Sequence, residues 1–397
     1  ECEGDFPVPT QRGRVSPIKH VILVVKENKT FDCVFGDLTD TDARVDPSLV
    51  LWGEEYTPNL HALARTFTIS DNFYTEVLNS DMGHIFLTAT HLTEYVERIW
   101  IEKYHTGKFQ GFQLSDPATP DKGNFFTHLL DQDISIRIYG EIVGMFSQSK
   151  TGKGAPVDYS DTSFPGGPYV NYGVTDERKA RHVIEELEKG NLAQFTYLLL
   201  PNDHTNGTSP NVPTPESMIA DNDYAVGLLV SALSKSKYWE KSVVFIVQDD
   251  TQGCEDHVDV HRSSIVIVSP WARRAYVSHV HTSFPSIFNT IERILDVPPL
   301  GRSDASATPF WDCFTQEMDA TPFTAIERKI PELKNGEDAP GAKESAKMNW
   351  KGPDRNPRLG IILKAYRHWQ MGRISKDEAK RLIRKGPGEQ AWEDLLE

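Results

Sequence analysis

The run VVFIVQDDTQGCEDHVDVHR, residues 243–262, decides how the chain is read. A stretch of β-branched and apolar residues, Val243 to Val247, stops at two adjacent carboxylates, Asp249 and Asp250. Gly253, the Asp256-His257 pair and His261 follow, and a second apolar run extends from Ser264 to Val268. Buried strands of an open parallel sheet read as uninterrupted apolar runs, and ligands gather just beyond their carboxyl ends. The expectation is an α/β sheet with acids and imidazoles collected at one rim. Adjacent carboxylates repel and push a pKa upward unless a cation sits between them. Oxygen and imidazole donors together suit a divalent cation. The plainer alternative for this stretch alone is a solvated acidic loop with a helix cap.

The same arrangement recurs upstream. His20 to Val25 reads as a buried strand stopping at Lys26-Glu27-Asn28-Lys29-Thr30, and Phe195 to Leu200 as another, ending in Pro201-Asn202-Asp203-His204. Between them lies Asn79-Ser80-Asp81-Met82-Gly83-His84, followed by an apolar-periodic run from Ile85 to Val96. Ser80 sits where a helix N-cap belongs. A helix N-terminus gathers unpaired N–H groups and partial positive charge, which suits an anion and favours an ionised hydroxyl. Taken singly, Glu27 reads as a helix-start acid, Ser80 as a plain cap and His84 as a structural histidine. His91, two turns on, reads equally as a packed core position. Three strand ends with metal-compatible residues around one serine-headed helix are harder to assign to unrelated turns.

At 397 residues the chain can bury a large core, as one big α/β domain or two ordinary ones. A net charge of −15 argues against a nucleic-acid partner, because phosphate contacts need clustered Lys and Arg. An acidic protein that handles phosphate must invert its field locally, and bound cations do that. No window approaches eighteen consecutive apolar residues, so no transmembrane segment is expected. The opening ECEGDFPVPTQRGRVSP has no basic region followed by an apolar one, so no signal peptide is read there. Cys2, Cys33, Cys254 and Cys313 leave room for one or two disulfides, in pairings the sequence does not rank. The Gly- and Pro-containing stretch from Ser147 to Tyr172 reads as a long loop, a candidate lid or substrate wall. Asp176 reads as the cap of a helix through Lys189. Two polar helices, roughly Arg358 to Met371 and Ser375 to Lys385, close the chain.

These residues resemble known families. Glu27-Asn28-Lys29-Thr30-Phe31-Asp32 with Phe35-Gly36 resembles the ENxTFDxxFG signature of the phosphoesterase family of bacterial phospholipase C and acid phosphatase enzymes, within the alkaline phosphatase superfamily. Asp249-Asp250, Gly253 and Asp256-His257-Val258 resemble its DE-x-GG-x-x-DHV block, and Asp203-His204 its DEHP-type segment. Asn79-Ser80-Asp81-Met82-Gly83-His84 is similar to the NSEVGH segment around the nucleophilic serine of cofactor-independent phosphoglycerate mutases, from the same superfamily. Three positions depart from the pattern: Asp250 stands for the usual Glu, Cys254 for a Gly of the GG pair, and Leu200 where an Asp-x-x-x-His metal pair would begin. The sulfatase C-x-P-x-R sequence is missing, which disfavours a formylglycine enzyme.

The resemblance implies an alkaline-phosphatase-like α/β/α sandwich with a mainly parallel central sheet and a C-terminal helical extension. It divides the chain into a leader (1–17), a phosphoesterase domain (18–314) and an extension packing on the core (315–397). The implied activity is metal-dependent hydrolysis of phosphoric esters, of phosphatase, phosphodiesterase or phospholipase C-like type, through a phosphoserine on Ser80. A phosphotransferase or mutase, or a non-catalytic metal-binding domain, is the alternative. Glu27, Asn28, Asp249 and Asp250 would hold a first divalent cation. Asp203, His204, His257 and His261 would hold a second, or bind phosphoryl oxygens and protonate the leaving group. Lys26, Asn79 and His84 are further candidates for substrate contacts, with Ser80, His84, His204 and His257 as the catalytic set. One or two ions are expected, with Zn, Ca, Mg and Mn all compatible with the donors. The substrate would be a small phosphate ester or a phospholipid head group. The resemblance implies a periplasmic or extracellular location. Lys347-Met348 and Pro353-Asp354-Arg355 resemble a subgroup often fused to an upstream β-propeller.

Overall fold

The computed structural model describes residues 6–106, 120–141, 143–168, 170–350 and 358–385. Cys2 and Pro353-Asp354-Arg355 lie outside the described residues. In chain order the first elements are β1 (His20–Lys26), α1 (Phe31–Phe35), α2 (Pro58–Thr66), β2 (Thr68–Tyr74), α3 (Ser80–Ala89) and α4 (Glu94–Thr106). There follow α5 (Phe125–Asp131), β3 (Ile136–Tyr139), α6 (Asp176–Lys189), β4 (Phe195–Leu199), α7 (Pro215–Ser234), β5 (Ser242–Gln248) and β6 (Arg262–Val268). The chain then runs through β7 (Tyr276–Ser278), β8 (Thr282–Ser283), α8 (Phe284–Leu295), α9 (Arg302–Ser306), α10 (Ala342–Ser345), α11 (Leu359–Gln370) and α12 (Lys376–Lys385).

The strands form one sheet in the order β3-β4-β1-β5-β6-β2-β7, with β8 paired to β2. Strands β3, β4, β1 and β5 run parallel to one another, and β6 runs antiparallel to both β5 and β2. The sheet is thus mainly parallel, as expected, with β6 as its reversed strand. The connection from Gln248 to Arg262 contains no helix, and a parallel return needs a crossover of a dozen or more residues, usually helical.

Both faces of the sheet are covered, so its central strands lack a polar side. Val21, Leu23 and Val25 of β1 face a core with Met82 and Phe86 of α3, Phe125 and Leu129 of α5, and Phe288 and Ile291 of α8. Their neighbours Ile22 and Val24 face a second core with Leu63 of α2, Val183 of α6, and Val226 and Leu229 of α7. Burying each such side chain contributes about 1.5–3 kcal/mol. The result is the α/β/α sandwich expected. Of the described residues beyond 314, Phe323 joins the second core and Ile326 O accepts from Asn59 Nδ2 at 2.8 Å.

Helix boundaries differ from the sequence reading at two places near the chemistry. Asn79, in extended conformation, is the N-cap of α3, and Ser80 is its first helical residue. The apolar run from Ile85 does not continue as one helix to Val96, because Thr90 adopts the left-handed conformation (φ 65°) and ends α3. His91 therefore leaves the face that carries His84 and lines a separate surface hollow with Tyr95, Pro120 and Arg302. Thr175, not Asp176, caps α6, its hydroxyl accepting from Arg178 N.

Candidate functional site

The four adjacent parallel strands all point their carboxyl ends the same way, and each delivers an acid there. Glu141 follows β3, Asp203 and His204 follow β4, Glu27 and Asn28 follow β1, and Asp249 and Asp250 follow β5. Every one of these residues is at most 5% exposed. Asn28 takes a left-handed backbone (φ 59°), which Asn tolerates better than most residues, and its N–H donates to Asp249 Oδ1 at 3.0 Å. The N–H of Glu27 donates to Asp203 Oδ1, also at 3.0 Å.

Helix α3 brings Ser80 into this ring. Gly83 makes the approach feasible: a Cβ there would lie 2.3 Å from the carbonyl oxygen of Asp249. Ser80 Oγ lies 2.8 Å from Asp250 Oδ2, 3.0 Å from Asn28 Oδ1 and 3.5 Å from Glu27 Oε2. One hydroxyl hydrogen cannot satisfy three acceptors. Asp249 Oδ2 is buried and accepts no hydrogen bond. Burial pushes the Asp250 carboxyl up to about 6, and burial together with Asp250 and Glu27 raises that of Asp249 well above its ordinary value. Crowded, desolvated oxygen atoms with too few hydrogens between them fit a divalent cation, so Glu27, Asn28, Asp249 and Asp250 are a chemically suitable donor set.

Cationic side chains pack behind the ring. Lys26 Nζ pairs with Asp203 Oδ2 at 3.0 Å, and Lys29 Nζ donates to the carbonyls of Glu27 (3.2 Å) and Asp203 (2.9 Å). Burial lowers the pKa of Lys29. His204 donates from Nδ1 to Thr205 O at 2.8 Å, stacks on Tyr172 with ring centroids 4.7 Å apart, and keeps a buried Nε2 with no hydrogen-bond partner. Burial lowers its pKa, so that nitrogen presents a lone pair. His204, Asn28 and Lys29 share a crevice with Leu51, Trp52 and Leu363, the last from α11. The tail helix seats there through backbone contact, since a Cβ on Gly360 would fall 2.4 Å from the Cα of Gly253.

The structure brings Lys26, Glu27, Asn28, Asn79, Ser80, His84, Asp203, His204, Asp249 and Asp250 to one end of the sheet and sets His257 and His261 apart. His257 Nδ1 lies 2.6 Å from Asp32 Oδ2, and both Asp32 and Asp256 are engaged by the buried Arg262 guanidinium, at 3.0 and 2.7 Å. Asp32, Asp256 and His257 are close enough to hold an ion, but Arg262 already supplies the cation. His261 is half-exposed and bonds to Asp259 at 3.0 Å. Cys33 and Cys254 form a disulfide with Cα atoms 5.9 Å apart, joining α1 to the loop after β5, and Cys313 is buried and free.

Glu141 was not apparent from sequence. It is fully buried, with Oε2 2.6 Å from His84 Nδ1 and 3.0 Å from Tyr197 Oη, while Oε1 accepts from Val143 N at 2.8 Å. Burial alone would lower the pKa of His84, but the carboxylates of Glu141 and Glu27 outweigh it and raise the value well above the ordinary one. A lone Glu after Gly140 carries no motif, and only the parallel register of β3 beside β4 would have pointed to it.

A serine at a helix N-terminus, set among strand-end carboxylates of a mainly parallel α/β/α sandwich, has the makings of an esterase site. The chain belongs to the Phosphoesterase family, whose model matches residues 44–298. Comparison with curated proteins gives no match. Similar solved structures include an alkaline phosphatase superfamily protein from Vibrio parahaemolyticus, 14% identical over 91% of this chain and 89% of that one, with a TM-score of 0.48. Another is the lipoteichoic acid synthase LtaP of Listeria monocytogenes, 12% identical over 88% of this chain and 92% of its own, with a TM-score of 0.44. Murine ectonucleotide pyrophosphatase / phosphodiesterase 5 is 11% identical over 75% of this chain and 100% of its own, with a TM-score of 0.46. Among the described residues no helix is long and apolar enough to cross a membrane.

Proposed function

We propose that the protein is a metal-dependent hydrolase of phosphoric esters that works through a phosphoserine on Ser80. The observation that carries this reading is the meeting of Ser80 Oγ with Asp250 Oδ2 at 2.8 Å and Asn28 Oδ1 at 3.0 Å, at the start of α3. A divalent ion held by Glu27, Asn28, Asp249 and Asp250 would neutralise these acids toward an anionic substrate and favour the ionised serine. Ser80 gives its proton to Asp250 Oδ2, the acceptor it already faces, and its oxygen attacks phosphorus in line while the bond from phosphorus to the ester alcohol breaks. The alcohol leaves on the side opposite Ser80 with a proton taken from solvent. Water later cleaves the phosphoserine to release phosphate and restore the Ser80 hydroxyl. The partial positive charge at the start of α3, beside Asn79, favours the phosphoryl oxygens. His204 is the proton-transfer group: its open Nε2 takes a proton from the water that cleaves the phosphoserine. Lys26 and Lys29 work behind the ring, offsetting carboxylate charge that would otherwise repel phosphate.

The substrate in this reading is a small phosphate ester or a phospholipid head group. Its support is the set of buried carboxylates around Ser80 at the start of α3, which suits a phosphoryl group once a cation is bound. The crevice beside His204, at about 10 Å³, has room for one water, so the alcohol moiety would lie outside it. A periplasmic or extracellular location is supported by the Cys33–Cys254 disulfide, since such bonds persist in oxidising compartments. The test is hydrolysis of p-nitrophenyl phosphate and bis-p-nitrophenyl phosphate with and without a chelator. Turnover of either that a chelator abolishes supports the proposal, and turnover indifferent to the chelator rejects it.

A further inference from the structure

We infer that His84 is a nitrogen ligand of the cation site, held in position by Glu141, and that the site therefore selects a zinc-class ion over calcium or magnesium. The inference rests on the hydrolase reading for the presence of an ion but assigns a residue that reading leaves outside the donor set.

Three observations carry it. The first is spacing. His84 Nε2 lies 3.4 Å from Glu27 Oε1 and 3.5 Å from Asp249 Oδ2, long for charge-assisted hydrogen bonds. Donor atoms bound tetrahedrally at about 2.0–2.1 Å from zinc stand roughly 3.4 Å from one another. Glu27, His84 and Asp249 are accordingly grouped closely enough to share an ion. The second is Asp249 Oδ2 itself, fully buried and without a hydrogen bond, on the side where His84 points. A buried carboxylate oxygen left unpaired is costly unless something else meets it.

The third is the tether. Glu141 lies against His84 Nδ1 at 2.6 Å, and Tyr197 Oη and Val143 N fix the carboxylate in turn. A carboxylate that accepts the Nδ1 proton leaves the lone pair on Nε2 and fixes the ring plane, the arrangement by which metal-bound histidines are usually supported. All members are buried, so the orientation is set by the fold and not by solvent. Imidazole favours zinc-class ions, whereas an all-oxygen set suits calcium or magnesium. Glu141 is a positioning residue in this scheme.

The test uses the whole protein, stripped with chelator and reloaded with Zn2+. X-ray absorption at the zinc edge should show imidazole scattering in wild type, reduced by one imidazole in His84→Gln. Competition titrations should show His84→Gln weakening zinc by about tenfold or more while magnesium affinity stays within about threefold, and Glu141→Gln weakening zinc by roughly 10–100-fold. An oxygen-only shell in wild type overturns the inference without any variant. Unchanged zinc affinity in both variants, at wild-type melting temperature, overturns it too. Chelator-sensitive ester hydrolysis with those unchanged affinities would sink this inference and leave the hydrolase reading standing. Zinc bound through His84 with no ester cleaved would do the reverse.

Discussion

Ser80 Oγ and Asp250 Oδ2 stand 2.8 Å apart although 170 residues separate them in the chain. The fold achieves this by ending β5 at Gln248 and starting α3 at Ser80 on the same rim. Replacing Ser80 with Ala removes the nucleophile and leaves the backbone path unaltered. Phosphate ester hydrolysis should fall by roughly three orders of magnitude or more, as for other nucleophilic serines. Stability, read from thermal melting, should fall by no more than about 1–3 kcal/mol, because Asp250 Oδ2 loses the hydrogen bond that the hydroxyl donates. Undiminished hydrolysis in Ser80→Ala would eliminate the covalent mechanism.

Gly83 sets how closely α3 approaches β5. A methyl group there meets the Asp249 carbonyl at 2.3 Å, so Gly83→Ala must push the helix outward. Overpacking of this kind costs about 1–3 kcal/mol. Because the displaced element carries Ser80, kcat should drop more than the melting temperature suggests. A variant with lower stability but wild-type kcat would show that the helix position is not critical.

Removal of the divalent ion should destabilise the protein in a pH-dependent way. Burial raises the Asp250 pKa to about 6 from an ordinary 3.8, with Glu27, His84, Asn28 and Ser80 packed around it. In the metal-free protein the folded state holds this proton between those values while the unfolded state has released it. Stability therefore falls as pH rises through that window and the deficit is complete above about pH 6. A bound cation removes the deficit. Chelation should lower the melting temperature little at pH 5 and markedly at pH 8, and equal shifts at both pH values would contradict this account.

Helix α11 should loosen in acid. Its His368 is buried, and burial, aided by Arg373 and Lys364, pushes its pKa down to about 4. For a histidine depressed in the folded state, the unfolded chain takes up the proton first, so stability is full above about 6.5 and is lost as pH falls toward 4. The same helix carries Arg367 over the rings of Tyr56 (4.5 Å) and Trp52 (5.5 Å), against the crevice wall. Hydrogen exchange in α11 should accelerate between pH 7 and pH 5 relative to β1. His368→Gln should flatten that change, and an unflattened profile would refute the assignment.

The central strands and their acidic ends were legible because a doubly covered parallel sheet imposes continuous apolar runs, as in Val21 to Val25 and Val243 to Val247. The direction of β6 was legible only indirectly, through the missing crossover helix. Proximity in sequence misled where side chains had stronger local partners: His257 follows the Asp249-Asp250 pair closely, yet Asp32 and Arg262 claim its surroundings. Glu141 escaped for the opposite reason, since its partner His84 lies 57 residues earlier and neither neighbourhood advertises the other. The disulfide could not be ranked from spacing, because Cys33 and Cys254 meet only once β1 and β5 lie side by side.

That bond has a meaning for the denatured chain. Residues 33 and 254 are 221 positions apart, and once joined they shorten the search by which distant segments find one another. Oxidised protein that has been unfolded still carries Glu27-Asn28 and Asp249-Asp250 on a common knot, so renaturation begins with its acidic halves already neighbours. Reduced protein begins that search as an open thread, and how quickly activity returns after denaturation becomes a matter of thiol chemistry.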